Sequence, residues 1–231
     1  MTLASTLPLT VPAAPGAISF VPATTALILI DMQRDFLEED GFGAALGNDV
    51  SVLRSCVAPC VALLAAMRAA GMTIIHTREG HRSDLQDVHP EKLARCPPGR
   101  KIGDKGPMGR ILIRGEAGHD FIPELLPAAG EVIIDKPGKG AFYSTDLDLV
   151  LRRQGITTLV ICGVTTEVCV HSTVREANDR GYRIIVPGDC CGSYFPEFHA
   201  AALQMISAQG GIFGYVSNAS ALISVLQHTV A

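Results

Sequence analysis

Short apolar runs alternate along this chain with stretches of helical character, and that alternation most constrains what it can fold into. ALILID (Ala26–Asp31), TIIHT (Thr73–Thr77), EVIID (Glu131–Asp135), TLVIC (Thr158–Cys162), YRIIVP (Tyr182–Pro187) and IFGYV (Ile212–Val216) each read as a buried strand. Most are followed by a helix. Residues 59–70 (PCVALLAAMRAA) have Pro59 for a first turn and Gly71 for a C-terminal cap. A helix near Asp146–Arg153 ends at Gly155, and another follows TLVIC within Gly163–Gly181. Pro196 and Glu197 open a further helix that Gly210 and Gly211 close, and a last one starts near Asn218. Strands alternating with helices predict a parallel sheet, right-handed crossovers and helices on both faces. The expected fold is a three-layer α/β/α domain with a six-stranded, mostly parallel sheet. No repeat or linker divides the chain, so residues 23–231 are read as one domain. Residues 1–22 are read as an arm on the surface or on a neighbouring subunit.

Composition agrees with a folded globular chain: 48% of residues are apolar and 18% charged. The net charge of −4 argues against a nucleic-acid or membrane-surface partner. No apolar stretch reaches the roughly 18 residues of a membrane span. The N-terminal segment lacks the basic start and long apolar run of a signal peptide. The cysteines, Cys56, Cys60, Cys96, Cys162, Cys169, Cys190 and Cys191, are odd in number and contain no CxxC. They read as free thiols in a reducing compartment, the cytoplasm.

In such sheets, ligands bind beyond the carboxyl ends of the strands. Asp31 ends the first strand, Lys136 follows EVIID, and Cys169 lies in the first helical turn after TLVIC. Three unlike reactive groups therefore converge on one sheet edge. A helix N-terminus and a nearby lysine favour a thiolate. An aspartate can take the thiol proton and return it to a leaving amine. Backbone N–H groups around Val164–Cys169 can hold an oxyanion. The set is complete for acyl transfer from an amide, without the histidine of commoner cysteine hydrolases. Each residue also has an ordinary reading: Cys169 as core, Lys136 as a surface lysine. His171 lies only two residues from Cys169, so on a helix the two point apart.

Other motifs do not compete. GxSxG, GxxxxGK[ST] and HExxH are absent. The spacing of His76, Glu79 and His81 matches no common zinc pattern. Cys56 and Cys60, and the vicinal Cys190 and Cys191, read as core.

ALILIDMQRDF, IIDKPGKGAF and CGVTTEVCVHSTVREANDRGY resemble the signature segments of the isochorismatase-like cysteine hydrolases. The resemblance runs from about residue 20 to residue 227. It implies a triad of Cys169, Asp31 and Lys136, with Lys136 favoured over Lys139. It also implies a cis peptide at Val164–Thr165 and an oxyanion hole from the N–H groups of Thr165 and Cys169. Nicotinamidases in this family bind a metal through an Asp-x-His and a further His. HTREGHRSD lacks that pattern, so no metal and no organic cofactor is implied.

Within the family, HTREGHRSDL, IGDKGPMGRILIRGEAGHD, IDKPGKGAF and AQGGIFG are similar to biuret and triuret hydrolases. That similarity implies release of ammonia from a small linear ureido amide through a thioester. Metal-free ureidoacrylate and N-carbamoylsarcosine amidohydrolases, and non-covalent isochorismatases, are the alternatives. A planar amide chain calls for a flat wall, for which Phe36 is the candidate. It also calls for polar contacts, from Glu79, Lys139 and Gln209. Each has an ordinary alternative: core for Phe36, pairing with Arg78 or Arg82 for Glu79, a helix end for Gln209. The expected partners are the small amide substrate and further copies of the chain, as a dimer or tetramer.

Overall fold

The structure, a computed structural model, describes residues 3–227. Its strands are β1 (Leu9–Val11), β2 (Ile18–Phe20), β3 (Thr25–Ile30), β4 (Thr73–Glu79), β5 (Lys105–Gly106), β6 (Gly109–Arg110), β7 (Val132–Lys136), β8 (Thr158–Val164), β9 (Arg183–Pro187), β10 (Cys191–Gly192) and β11 (Tyr215–Ser217).

Six of them form the main sheet in the order β11-β9-β8-β3-β4-β7, with every pairing parallel. The short β10 adds a parallel pairing at the end of β8. Chain order runs outward from β3 through β4 to β7, then returns to β8 and continues outward on the other side. The reversal between β3 and β8 creates a crevice at their carboxyl ends, where α/β proteins place ligands. Both central strands are buried along their whole length, TALILI in β3 and TLVICGV in β8. A strand covered on both faces must be apolar throughout, which is why these runs do not alternate.

Right-handed crossovers put the helices in two layers. Val57–Ala69 lies against Ala219–Gln227 in one layer. Leu147–Arg153, His171–Asp179 and Pro196–Gly211 belong to crossovers that travel the other way across the sheet, so the same handedness puts them in the other layer. The expected three-layer α/β fold is the one observed.

Four readings need correction. The stretch 59–70 belongs to a longer helical segment, Val50–Ala69, which by length and composition could cross a membrane. Contrary to the expectation from sequence, the segment is apolar and long enough despite Arg54 and Arg68. Leu53, Cys60, Leu63, Leu64 and Met67 are buried in the core, as in a covering helix. Residues 1–22 are not only an arm. From Leu9 onward they form an antiparallel hairpin of β1 and β2, with Val11, Ile18 and Phe20 in the main core. Met1 and Thr2, and residues 228–231, lie outside the described residues. The last strand begins at Tyr215 rather than Ile212. Gln209, Gly210 and Gly211 all have positive φ, and this break in the helix delays the strand. Finally, the long segment after β4 is not wholly loop. It contains the helix Pro90–Ala94 and the β5–β6 ribbon, and Val88, Ile102, Ile111, Leu112 and Ile113 gather with Phe42 in a second apolar cluster.

A half-exposed tie holds the opposite end of the sheet. Glu131 accepts from Arg68 Nε at 2.7 Å and Nη2 at 2.8 Å, from the Ala128 N–H at 2.8 Å, and meets His76 Nε2 at 2.9 Å. Burial acts to raise its carboxyl, but Arg68, the Ala128 N–H and His76 together hold it at about 2. A carboxyl held below its unfolded value stabilises the fold above about 4.5, and the gain disappears as pH falls toward 2. Glu131→Gln is therefore expected to be less stable than the parent at neutral pH, with the difference closing by pH 2. Urea midpoints at neutral and acid pH measure this.

Candidate active site

Four neighbouring strands, β8, β3, β4 and β7, bring their carboxyl ends to one place. Asp31 follows β3 directly and has a left-handed backbone, φ 51. Aspartate tolerates that region better than most residues. Its N–H donates to the Thr77 carbonyl at 3.2 Å, and the Thr77 hydroxyl donates to Asp31 Oδ1 at 2.7 Å. Gly163, near the end of β8, has φ 114 and touches the Ile30 backbone so closely that any Cβ would collide. The next peptide, Val164–Thr165, is cis, at the position the resemblance implied. The chain then makes one wide turn, Thr166–Val170, in which the Val170 N–H reaches back to the Thr165 carbonyl at 3.2 Å. That turn carries Cys169 and leads into the helix His171–Asp179.

The polar groups at this point are out of water. Asp31, Glu79 and Lys136 have no exposed surface, and Cys169 is 4% exposed. Lys136 ends β7 and its Nζ lies 2.8 Å from Asp31 Oδ2. It also donates to the carbonyls of Gly138 and Lys139, each at 3.0 Å. The Cys169 thiol donates to Glu79 Oε2 at 3.5 Å, while Lys136 Nζ stands 4.0 Å from the same oxygen. Two further ammonium groups hold Glu79: Lys139 Nζ at 2.8 Å and Lys92 Nζ at 2.8 Å from Oε1. Buried charges survive only when paired, and these carboxylates and lysines pair one another.

The electrostatics differ from the simple expectation of a resting thiolate. Burial pushes the Cys169 thiol well above its ordinary range, and Asp31 and Glu79 raise it further, against Lys136 and Lys139. Burial also acts on Glu79, yet Lys139, Lys136 and Lys92 hold its carboxyl well below the usual range. Burial works to lower Lys136, but Asp31, Cys169 and Glu79 together raise it. The thiol therefore rests protonated beside the Glu79 carboxylate and the Lys136 ammonium. Glu79, saturated by ammonium groups, is a poor acceptor for its proton. Asp31 Oδ2 pairs with Lys136 at 2.8 Å, and a carboxylate oxygen has a second lone pair that can take that proton. The three acidic groups lie within 4.8 Å of one another. The same trio is the set that could ligate a divalent cation, and such an ion would have to displace the ammonium groups already there.

The structure brings together Cys169, Asp31, Lys136, Glu79 and Lys139. Glu79 pairs with neither Arg78 nor Arg82. Successive residues of β4 face opposite sides, so Arg78 turns away to Asp135 at 2.8 Å, and Arg82 pairs with Asp84. Phe36 is half-buried and touches both apolar clusters. Gln209 is not brought to the triad: it is solvent-exposed in the helix break, with φ 50, because Gly210 and Gly211 turn the chain outward there. His171 is buried and stacks edge-on against Phe213, apart from the thiol network.

Lys92, Thr77 and Gln33 were not foreseen. The Gln33 side chain donates to the carbonyls of Glu79 and His119 and accepts from the Glu79 N–H at 2.8 Å, which clamps the end of β4. Gln33 stands two residues after Asp31 in the motif, and that proximity was a usable signal. Lys92 had none, since it arrives from the distant helix Pro90–Ala94.

Glu79→Gln removes one of the charges that raise the thiol. Alkylation of Cys169 by iodoacetamide at fixed pH is expected to become faster. Stability is expected to fall by about 2–3 kcal/mol, because three ammonium groups lose a shared carboxylate. Slower or unchanged alkylation would show that Glu79 does not act on the thiol.

Residues 25–218 match the Isochorismatase domain. The chain is 34% identical over 223 residues to the ureidoacrylate amidohydrolase RutB of Serratia proteamaculans, covering 94% of this chain and 89% of that protein. It is 37% identical over 220 residues to the RutB of Pantoea ananatis, covering 90% and 84%. A cysteine hydrolase from Pseudomonas syringae pv. phaseolicola superposes with a TM-score of 0.77 at 29% identity, over 90% of this chain and 95% of that one. Fold, site geometry and matched length agree: this chain belongs to the isochorismatase family.

Proposed function

We propose that the protein is a cysteine-dependent amidohydrolase that releases ammonia from the terminal ureido group of a small linear amide. The observation that carries this reading is the buried Cys169 thiol set among Asp31, Lys136 and Glu79. Asp31 Oδ2 takes the thiol proton as the sulfur attacks the terminal carbonyl, and Lys136 balances the charge. The N–H groups of Thr165 and Cys169 receive the oxyanion. Asp31 returns the proton to the departing ammonia. Water activated by Asp31 then cleaves the thioester, and a carbamate-type acid leaves. Burial of every reacting group excludes bulk water and admits only a small substrate.

Biuret or triuret is the finer reading. Its support is the likeness of the segments around residues 76–85 and 102–120, of which the first contains Glu79 and the second is tied to the Glu79 backbone through Gln33 and the His119 carbonyl. Ureidoacrylate is the second reading, favoured by the names of the RutB relatives. All seven cysteines are free, which supports a cytoplasmic setting. Exposed Phe195, Phe198 and Met205 support a homo-oligomer.

Ammonia release from biuret, triuret, ureidoacrylate and N-carbamoylsarcosine, before and after alkylation, tests the reading. Release from at least one, lost when Cys169 is alkylated, is the expected result. Activity that survives full alkylation would favour a non-covalent hydrolase, and silence on every substrate would remove the ureido assignment.

A further inference from the structure

A pocket of about 490 Å³ opens on the far side of the loop that holds Lys136. Pro137, Gly138 and Lys139 form one wall of it. The inner face of the same loop turns the Gly138 and Lys139 carbonyls to Lys136 Nζ. One layer of chain thus separates this pocket from the triad. Lys139 crosses that layer: its side chain is 43% exposed, yet its ammonium rests on Glu79 at 2.8 Å. From the sulfur to the pocket wall there are only two contacts, Cys169 to Glu79 and Glu79 to Lys139.

The other walls are basic and flat. Arg95 lines the pocket, is exposed, and has no ion-pair partner among the described residues. Tyr143, 60% exposed, offers an aromatic face. Lys92 completes the cationic side, although its ammonium is taken by Glu79, by His81 Nε2 at 2.9 Å and by the Pro137 carbonyl at 2.7 Å. The acidic residue on the wall, Asp87, is occupied by the Arg82 N–H, His81 and Arg114. The unspent charge facing the pocket is therefore positive. A free guanidinium suits a planar carboxylate, which it can hold through two parallel hydrogen bonds.

We propose that this pocket is a carboxylate-binding subsite, in which Arg95 holds the anionic end of a ureido acid and Lys139 moves off Glu79 to join it. The proposal rests on the amidohydrolase reading for the identity of that acid. Two sources share the chemistry: the carbamate-type product leaving the buried site, or a carboxylate tail on the substrate. In both cases the exchange opens the way between pocket and sulfur, because Lys139 is the side chain that spans them.

Oxamate, a stable planar carboxylate with an adjoining amide, is the probe. It is titrated calorimetrically into Cys169→Ala and into Cys169→Ala with Arg95→Ala, so no turnover is required. Binding that weakens about ten-fold or more without Arg95, and weakens as ionic strength rises, is expected. No binding, or equal affinity in the two proteins, would overturn the subsite. Kinetics on the active enzyme with Arg95→Ala alone then identify the source. A raised KM for ureidoacrylate with an unchanged KM for biuret marks a substrate tail. Loss of oxamate inhibition with both KM values unchanged marks the product. Unchanged KM values with unchanged inhibition would also overturn the proposal. Failure of the amidohydrolase reading shows separately, as absence of ammonia release, and the binding comparison still decides the pocket.

Discussion

Cys169→Ala is expected to abolish ammonia release, lowering turnover by about four orders of magnitude or more while the fold is kept. A nucleophile that forms the covalent intermediate has no substitute in a site whose remaining groups act through it. No other thiol is placed to replace it: Cys162, Cys190 and Cys191 are buried in the core, Cys60 donates to the Cys190 carbonyl, Cys56 donates to the Leu53 carbonyl, and Cys96 packs against the second apolar cluster. The structural cost is small. Cys169 contributes one sulfur to the core, and its thiol makes a single long contact with Glu79 at 3.5 Å. Removing it also takes a group from between two carboxylates. Stability is therefore expected to change by no more than about 1 kcal/mol. Single-turnover ammonia assays together with a thermal melt measure both quantities. Activity within ten-fold of the parent in a folded variant would overturn covalent catalysis.

Lys136→Met is expected to fail in the opposite manner, in stability as well as in rate. Methionine fills much of the same volume, so packing is largely kept. The charge is not. Asp31 would be left fully buried with only the Thr77 hydroxyl and no ammonium, and the Gly138 and Lys139 carbonyls would lose their donor. Breaking one side of a buried ion pair costs about 3–5 kcal/mol. For a chain of this size that corresponds to a fall in Tm of roughly 10 °C. Turnover falls too, because Lys136 offsets the charge that would otherwise oppose ionisation of the thiol. The double variant Asp31→Asn, Lys136→Met removes both charges and is expected to recover a large part of the stability and none of the activity. Recovery of neither would show that Lys136 acts mainly through its loop carbonyls. Differential scanning calorimetry separates these outcomes.

The central strands were legible because they are covered on both faces, and a fully buried strand must be apolar without interruption. ALILID and TLVIC announce themselves in that way. Asp31 stands at the carboxyl end of one such run and Cys169 in the turn that follows the other, while Lys136 ends the partly exposed edge strand β7. The helix break at Gln209 was harder to read. Gly210 and Gly211 signal an end, but the glycines only permit positive φ, and the direction in which the chain then leaves is set by what it meets.

The alternation of apolar strand and helix, read by itself, determined a parallel α/β sheet and which reactive residues stand at its ligand-binding edge. The partners of those residues were decided only by the tertiary structure. Glu79 could have paired with its neighbours Arg78 or Arg82. It is instead caged by Lys92, Lys136 and Lys139, which reach it from β7, the loop after it and a distant helix. Burial, with the charges of Asp31 and Glu79, leaves Cys169 as a resting thiol against the pull of Lys136 and Lys139. Strand position is a local property, written in the periodicity of a few residues. Ionisation depends on every charge within a few ångströms and on the loss of water, and those are brought together only when the loops close.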